Sequence, residues 1–204
     1  SIDVENKSPA VWRPNKSYGF KNLPENKSVI FKNTTVWTNE KEGILLNTDV
    51  VITDGKIIAL GALLNPLDYF KEGSFITIDA SEFVLTSGII DEHSHIAISR
   101  GVNEGTQAVS AEVRIEDVIN PSDHNIYRQL AGGTVAAQLL HGSANPIGGQ
   151  SAIIKFRWGE SAKNMLIENS EGFIKFALGE NVKQSNWGDF ERIRFPQTRM
   201  GVEQ

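Results

Sequence analysis

The chain has 204 residues, of which 40% are hydrophobic and 22% charged, and its formal net charge is −5. This composition is typical of a globular protein with one large or two small domains, and the mild charge argues against nucleic acid or a membrane as a partner. The sequence contains no cysteine, which excludes disulfides, thiolate metal sites and a cysteine nucleophile.

No apolar run in the sequence approaches the length that a membrane-spanning helix needs. No signal-peptide core follows Ser1. We therefore expect a soluble chain. The sequence does not indicate a compartment, and export of the parent protein stays open because a leader could have been removed.

The first 86 residues are predicted to form an arm and a small β-domain. Residues 1–27 are polar and contain three prolines, which favours an extended arm or linker. Residues 28–86 are rich in β-formers, and two apolar runs flank Asp54-Gly55, which is a strong hairpin signal. Several short strands at close spacing predict a small β-sandwich, with a half-barrel as the alternative. The later strands of this domain are expected at Ser74–Asp79 and Glu82–Leu85.

Residues 87–204 have a different pattern, because strand-like and helix-like runs alternate. Such alternation is typical of a parallel sheet or barrel, in which the chemistry lies at the C-terminal ends of the strands. The first helix is expected to have Ser122 or Asp123 as its N-cap and to stop at Gly132-Gly133. The predicted strands are Ile89–Ile98, Thr134–Leu140, Ser151–Trp158 and Phe173–Leu178, and the predicted helices are Ser122–Ala131 and Ser161–Asn169.

The first strand of this region carries a candidate metal site. Asp91, His93 and His95 are two residues apart, so their side chains share one face of a strand. At a rise of about 3.3 Å per residue the imidazoles start about 7 Å apart, and both can lean onto one ion at about 2.1 Å. The alternative is two surface histidines at a strand end, which a bare His-x-His does not exclude.

The run Gly88-Ile89-Ile90-Asp91-x-His93-x-His95, after a small β-domain, resembles the first barrel strand of the amidohydrolase superfamily, in its imidazolonepropionase- and prolidase-related branch. Leu130–Val135 is similar to the family's junction between the first helix and the second strand. The family usually has proline where this chain has Ser87. The resemblance covers residues 28–204 and implies an α/β fold. In that fold a small β-sandwich precedes the first strands and helices of a truncated, metal-dependent (β/α)8 (TIM) barrel in residues 87–204.

The resemblance also implies a divalent metal, Zn²⁺ or another, as one or two ions bound by His93 and His95. Phe173–Leu178 looks like the strand whose lysine becomes a bridging carbamate in binuclear members, which makes Lys175 a candidate ligand. A lysine in an apolar strand tends to lose its charge, and the neutral amine can react with CO₂. The alternative is a lysine at an exposed face or extended to the rim. The rivals are Lys155 for the carbamate and Glu180 for a direct ligand in a mononuclear site.

Other residues have candidate roles around the metal. On the family analogy, Asp91 is expected to orient a ligating histidine or to hold the strand end, because carboxylates commonly orient metal-bound imidazoles. A loop containing His141 and Asn145 follows the second strand, so both are candidate substrate contacts, with an ordinary glycine-rich turn as the alternative. His124 lies in a predicted first helical turn and is expected to be a surface or capping residue.

The resemblance implies a parent protein that hydrolyses C–N bonds in small cyclic amides or dipeptide-like substrates with a metal-activated water. About 117 residues run from Gly88 to the end of the chain, whereas a (β/α)8 barrel needs about 250. No histidine follows Leu178. We therefore expect the general-base aspartate beyond Gln204 and an incomplete, inactive fragment that pairs with the missing barrel half or another copy. The alternatives are a deaminase of the same superfamily and a non-catalytic binding or assembly module.

Overall fold

The computed structural model describes residues 10–104, 106–183, 195–196 and 198–203. The chain divides into two compact units, one of Pro24–Gly88 and the other of Ser1–Leu23 with Ile89–Gln204. In the described residues the fold is mixed α/β, with many strands and few helices. None of the described helices is long and apolar enough to cross a membrane.

The unit Pro24–Gly88, called the β-unit below, contains five strands. They are β1 Ser28–Trp37, β2 Ile44–Thr53, β3 Lys56–Gly61, β4 Phe75–Asp79 and β5 Val84–Thr86, with a 3-10 helix at Pro66–Asp68. β2 pairs antiparallel with one edge of β1, and β4 and β5 lie parallel along its other edge, one after the other. Because β4 and β5 both pair with β1, the five strands form one sheet. The sequence instead predicts a small sandwich.

The hairpin predicted at Asp54-Gly55 is confirmed. β2 and β3 pair antiparallel up to Thr53 and Lys56. The turn residues Asp54 and Gly55 have φ angles of 49° and 71°. Positive φ at both central residues defines the type I′ turn, whose twist matches that of the paired strands. The local sequence is thus sufficient to specify this part of the fold.

A buried ion pair connects β1 to β2. The side chain of Asp49 on β2 is fully buried and pairs with Lys32 of β1. The carboxylate also accepts the backbone N–H groups of Asn33 and Leu64, each at 2.8 Å. Lys32 Nζ donates to the carbonyl of Leu64 as well. These hydrogen bonds fix β1, β2 and the loop after β3 to one another.

The second unit, called the αβ-unit below, contains two small sheets and short helices. Its strands are β6 Ile89–Ser94, β7 Thr134–Leu139, β8 Ile147–Gln150, β9 Ala152–Lys155 and β10 Ile174–Phe176. Its α-helices are α1 His124–Ala131 and α2 Ala162–Met165, and 3-10 helices lie at Ile115–Val118, Glu180–Val182 and Met200–Val202. One sheet has the order β6-β7-β9, and the other pairs β8 with β10.

The first two strands of the αβ-unit form a β-α-β arrangement. β6 and β7 are parallel, and α1 lies between them in sequence and contacts β7. The expected N-cap is confirmed as Asp123, and the helix ends at Gly132. A hydrophobic core surrounds this arrangement. Its buried members include Ile115, Ile126, Leu139, Ile154, Phe156 and Met165.

The expectation of a uniformly parallel sheet is wrong beyond β7. β9 pairs antiparallel with β7, and β10 pairs antiparallel with β8. Parallel strands need a crossover of a dozen or more residues, usually a helix, whereas antiparallel strands can be joined by a simple reversal. No helix is present in the described residues between β7 and β9, so the chain reverses there. The barrel itself remains a prediction.

Residues 10–23, expected as part of a linker, pack on the αβ-unit. Arg13 and Phe20 form a small antiparallel bridge. The indole Nε1 of Trp158 donates to the carbonyl of Tyr18 at 2.8 Å. The Tyr18 ring stacks on Tyr127 of α1 with ring centroids 4.7 Å apart. This segment therefore covers an aromatic cluster that the rest of the αβ-unit supplies.

The cap of α1 also fixes the chain that follows β6. One Asp123 oxygen accepts the N–H of Asn125 at 3.0 Å, and the other accepts the N–H of Ala97 at 2.8 Å. Burial alone would raise the pKa of Asp123, but these hydrogen bonds outweigh it and lower the pKa below its ordinary value. The carboxylate thus joins the helix to the segment beyond the candidate metal site.

Asp123→Ala is expected to lower the free energy of unfolding by about 2 kcal/mol, because it removes an N-cap and leaves the N–H of Ala97 without its partner. Urea unfolding of both proteins measures the difference. The matched control is Asp117→Ala, which removes an exposed partner of Arg114 and should change stability by less than about 1 kcal/mol. Equal stability of Asp123→Ala and the wild type would contradict the assignment.

Candidate metal centre

The two histidines of the sequence motif lie at the C-terminal end of β6. In the pairing of β6 with β7, Asp91 lies opposite Ala137 and Ser94 opposite Leu139. β6 therefore has one extra residue over this stretch, and such a bulge redirects side chains near a strand end. The rings of His93 and His95 are exposed, perpendicular to each other, with centroids 5.3 Å apart. The structure thus brings the two imidazoles together.

His95 is oriented by a backbone carbonyl. Its Nδ1 lies 2.9 Å from the carbonyl oxygen of Leu140, the residue that follows β7. A carbonyl can only accept, so Nδ1 carries the hydrogen and Nε2 of the neutral ring keeps its lone pair. Metal-binding histidines commonly donate their other N–H to a carbonyl in this way. The contact therefore leaves His95 in the tautomer that suits a ligand.

His93 faces a lysine from a distant part of the chain. Its Nε2 lies 3.5 Å from Nζ of Lys175 on β10. Desolvation lowers the pKa of His93, and the positive charge of Lys175 and the neighbouring His95 act in the same direction, against Asp91 and Glu92. A lowered pKa favours the neutral ring, which is the form that binds a metal. Of the predicted ligands, His93 therefore lies beside both His95 and Lys175.

The two rivals have other surroundings. Lys155 is exposed on β9 and lines a groove with Arg157 and Lys163. Glu180 forms ion pairs with Lys183 and Arg199. The hydrogen bond from Lys183 is the main reason why the pKa of Glu180 lies below its ordinary value. The ion pairs give Glu180 a structural role on the surface of the αβ-unit.

Asp91 holds the strand end rather than an imidazole in this structure. Its carboxylate accepts the backbone N–H of His93 at 3.1 Å. This contact lies at the irregular stretch of β6. It therefore supports the turn of backbone that presents His93.

The candidate substrate residues lie under their own loop. His141 is 4% exposed and its Nδ1 donates to the carbonyl of Gly142 at 3.2 Å. Asn145 is fully buried, and its amide donates to the carbonyl of Gln107 at 2.7 Å. The Asn145 carbonyl oxygen has no hydrogen-bond partner among the described residues. Contact with a substrate therefore requires this loop to open. His124 is the first residue of α1, and its ring packs against Trp158.

Comparison with known proteins identifies relatives over most of this chain. The amidohydrolase tasK of Hapsidospora irregularis is 30% identical over 205 residues, which cover 86% of this chain and 20% of tasK. The crystal structure of an amidohydrolase from Thermotoga maritima is 33% identical with a TM-score of 0.68, covering 85% of this chain and 44% of that one. No family model matches the sequence.

The chain is related to the amidohydrolase superfamily. This finding confirms the resemblance seen in the sequence motif. The chain spans a fifth of the length of tasK and less than half of the Thermotoga amidohydrolase. The relationship is therefore established for part of an amidohydrolase, and the activity of the whole protein is a separate question.

The candidate ligands of this chain suit a metal ion in part. Two imidazoles with a neutral form available match the nitrogen ligands that zinc accepts. Among the described residues, no group of three or more histidine, aspartate and glutamate side chains is placed to bind one ion. Zinc usually takes four ligands, so His93 and His95 fit as one part of a coordination sphere.

Sequence reasoning missed the carbonyl of Leu140, which sets the tautomer of His95. A backbone carbonyl has no residue-type signal, so only the pairing of β6 with β7 could reveal it. The sequence did show Gly148-Gly149 in the loop after His141. It gave no indication that these glycines form a strand against Lys175.

Proposed function

We propose that the protein containing this chain is a metal-dependent hydrolase of C–N bonds, acting on small cyclic amides or dipeptide-like substrates. The observation that supports this proposal most directly is the pairing of His93 and His95 at the end of β6, with His95 held in a ligand-competent tautomer by Leu140. The relationship to amidohydrolases supports the reaction class.

His93 and His95 would hold the metal, Zn²⁺ or another divalent ion, as one or two ions. A bound ion of this kind polarises a carbonyl and lowers the pKa of a water molecule. The carbonyl of Leu140 orients His95, and the lowered pKa of His93 favours its neutral ring. Asp91 would hold the strand end that presents His93.

Lys175 is the proposed carbamate. Its side chain is half-buried on β10, while its neighbours Ile174 and Phe176 are exposed. The neutral amine Nζ would form a bond to the carbon of CO₂ as one C–O π bond breaks, and it would release one proton, which turns an uncharged amine into an anionic oxygen ligand. His141 and Asn145 would contact the substrate after their loop opens.

Further residues of the same protein, outside this chain, would complete the site. Among the described residues, β6 pairs with a strand on the β7 side alone, and its side chains Ile89 and Ile90 are 59% and 67% exposed. An exposed apolar edge of this kind is normally covered. The general base and the remaining ligands would come from that added segment, since this chain spans 44% of its matched amidohydrolase structure.

The test is a turnover assay on the complete protein and on the isolated 204-residue chain, each stripped of metal and then given Zn²⁺. We expect hydrolysis of cyclic amides or dipeptides by the complete protein with metal, and none by the isolated chain. Ammonia release from an aminated ring without ring opening would indicate a deaminase and contradict the proposal. Full turnover by the isolated chain would refute the proposal that residues outside this chain complete the site. This holds whether light scattering shows the isolated chain to be a monomer or a dimer.

A further inference from the structure

β8, which contains Gly148 and Gly149, has neighbours along both of its edges and lies beside the candidate metal centre. One edge pairs with β10, with Ile147 opposite Phe176 and Gln150 opposite Ile174. The other edge meets the segment 109–114, where Gln150 donates its N–H to the carbonyl of Val113 at 2.7 Å. β8 therefore cannot shift sideways without disturbing a neighbour.

The two glycines of β8 leave space that no other residue would leave. A Cβ atom at Gly148 would lie 2.9 Å from His141 Nδ1 and 3.3 Å from the Cβ of Lys175. A Cβ atom at Gly149 would lie 2.7 Å from the carbonyl oxygen of Val113. Neither glycine has a positive φ angle. The backbone would thus accept other residues here, and the need for glycine is one of close approach.

We propose that Gly148 is a positioning residue that sets the distance between Lys175 and His93. This inference rests on the proposed function, because it matters only if these side chains hold a metal. Gly148 lets the imidazole of His141 and the base of the Lys175 side chain approach β8 together. Lys175 Nζ then lies 3.5 Å from His93 Nε2. A metal site tolerates deviations of only about 0.2 Å in its ligand distances, so a small displacement of β10 has a large effect.

The test is the affinity for Zn²⁺, measured on the complete protein by calorimetry with Gly148→Ala and the control Gly172→Ala. A Cβ at Gly172 would meet nothing within 4 Å, and this residue also precedes β10. We expect Gly148→Ala to weaken Zn²⁺ binding by about 10- to 100-fold, as loss of outer support of a metal site typically does, and Gly172→Ala to bind like the wild type. Equal affinity of Gly148→Ala and the wild type would overturn the proposal.

A second comparison separates positioning from a general loss of structure. In a Lys175→Ala background, Gly148→Ala should cause no further loss of affinity, whereas the same fold loss as in the wild type would overturn the proposal. If Gly148→Ala does not fold, the double variant His141→Ala/Gly148→Ala is compared with His141→Ala instead. His141→Ala removes the imidazole that a Cβ at position 148 would approach most closely. The double variant should bind Zn²⁺ several-fold more weakly, and equal affinity would overturn the inference. A wild type that binds no Zn²⁺ would instead refute the proposed function.

Discussion

Asp49→Ala is expected to lower the free energy of unfolding of the β-unit by about 3 kcal/mol or more, because it removes a buried acceptor of two backbone N–H groups together with one partner of an ion pair. The variant leaves the N–H groups of Asn33 and Leu64 without their acceptor, and each such loss costs about 1–3 kcal/mol. Lys32 can turn partly toward water, since its side chain is 23% exposed. The loss therefore comes mainly from the two backbone donors.

Amide hydrogen exchange of Ile30, Val50 and Val51, all fully buried in the β-unit, measures this stability locally. The control is Asp68→Ala, which removes an exposed carboxylate with one long hydrogen bond of 3.3 Å from Asn65. It should change protection by less than about 0.5 kcal/mol. Unchanged protection in Asp49→Ala would show that the ion pair does not hold the two strands.

The same carboxylate gives this effect a pH dependence. Burial raises the pKa of Asp49, but hydrogen bonds from Lys32, Asn33 and Leu64 outweigh it, so the folded-state pKa lies below the ordinary value. The unfolded chain then takes up the proton first as pH falls. The stabilisation is present above the unfolded pKa of about 3.9 and is lost below it. The thermal stability of the wild type should therefore decrease more steeply from pH 5 to pH 3 than that of Asp49→Asn, and parallel curves would contradict this.

His95→Ala is expected to weaken Zn²⁺ binding of the complete protein by more than about 100-fold. Loss of an outer-shell group alone costs about 10- to 100-fold, and this variant removes a proposed ligand. Competition with a chromogenic chelator measures the change. The control is His124→Ala, whose imidazole packs against Trp158 and should leave the affinity unchanged. Equal affinities of His95→Ala and the wild type would remove His95 from the site.

Features set by neighbouring residues were predictable from the sequence. Asp54-Gly55 specified its turn, and Asp123 specified the start of α1, because a turn and a cap depend on a few adjacent residues. The His-x-His spacing likewise placed both imidazoles at one strand end. Each of these predictions needs no knowledge of which strand pairs with which.

Features set by distant pairing were not predictable. The apolar run of β9 was expected as a parallel strand, and its pairing direction follows from the chain reversal after β7. The bulge near His93 exists only in the register of β6 with β7. The approach of Lys175 to His93 joins residues 82 positions apart. The alternation of side chains along a strand indicates which residues share one face of the sheet. Which other strand pairs with it depends on tertiary packing.

The contact between Tyr18 and Trp158 has a consequence for the order in which the molecule assembles. The two residues are 140 positions apart, and the whole β-unit lies between them in sequence. During synthesis the segment 10–23 leaves the ribosome before Tyr127 and Trp158, the residues against which Tyr18 packs, have been added. Contacts of such long sequence separation form late because the intervening loop must close first. A segment that is made before the β-unit is therefore ordered only after residues that follow the β-unit have been made.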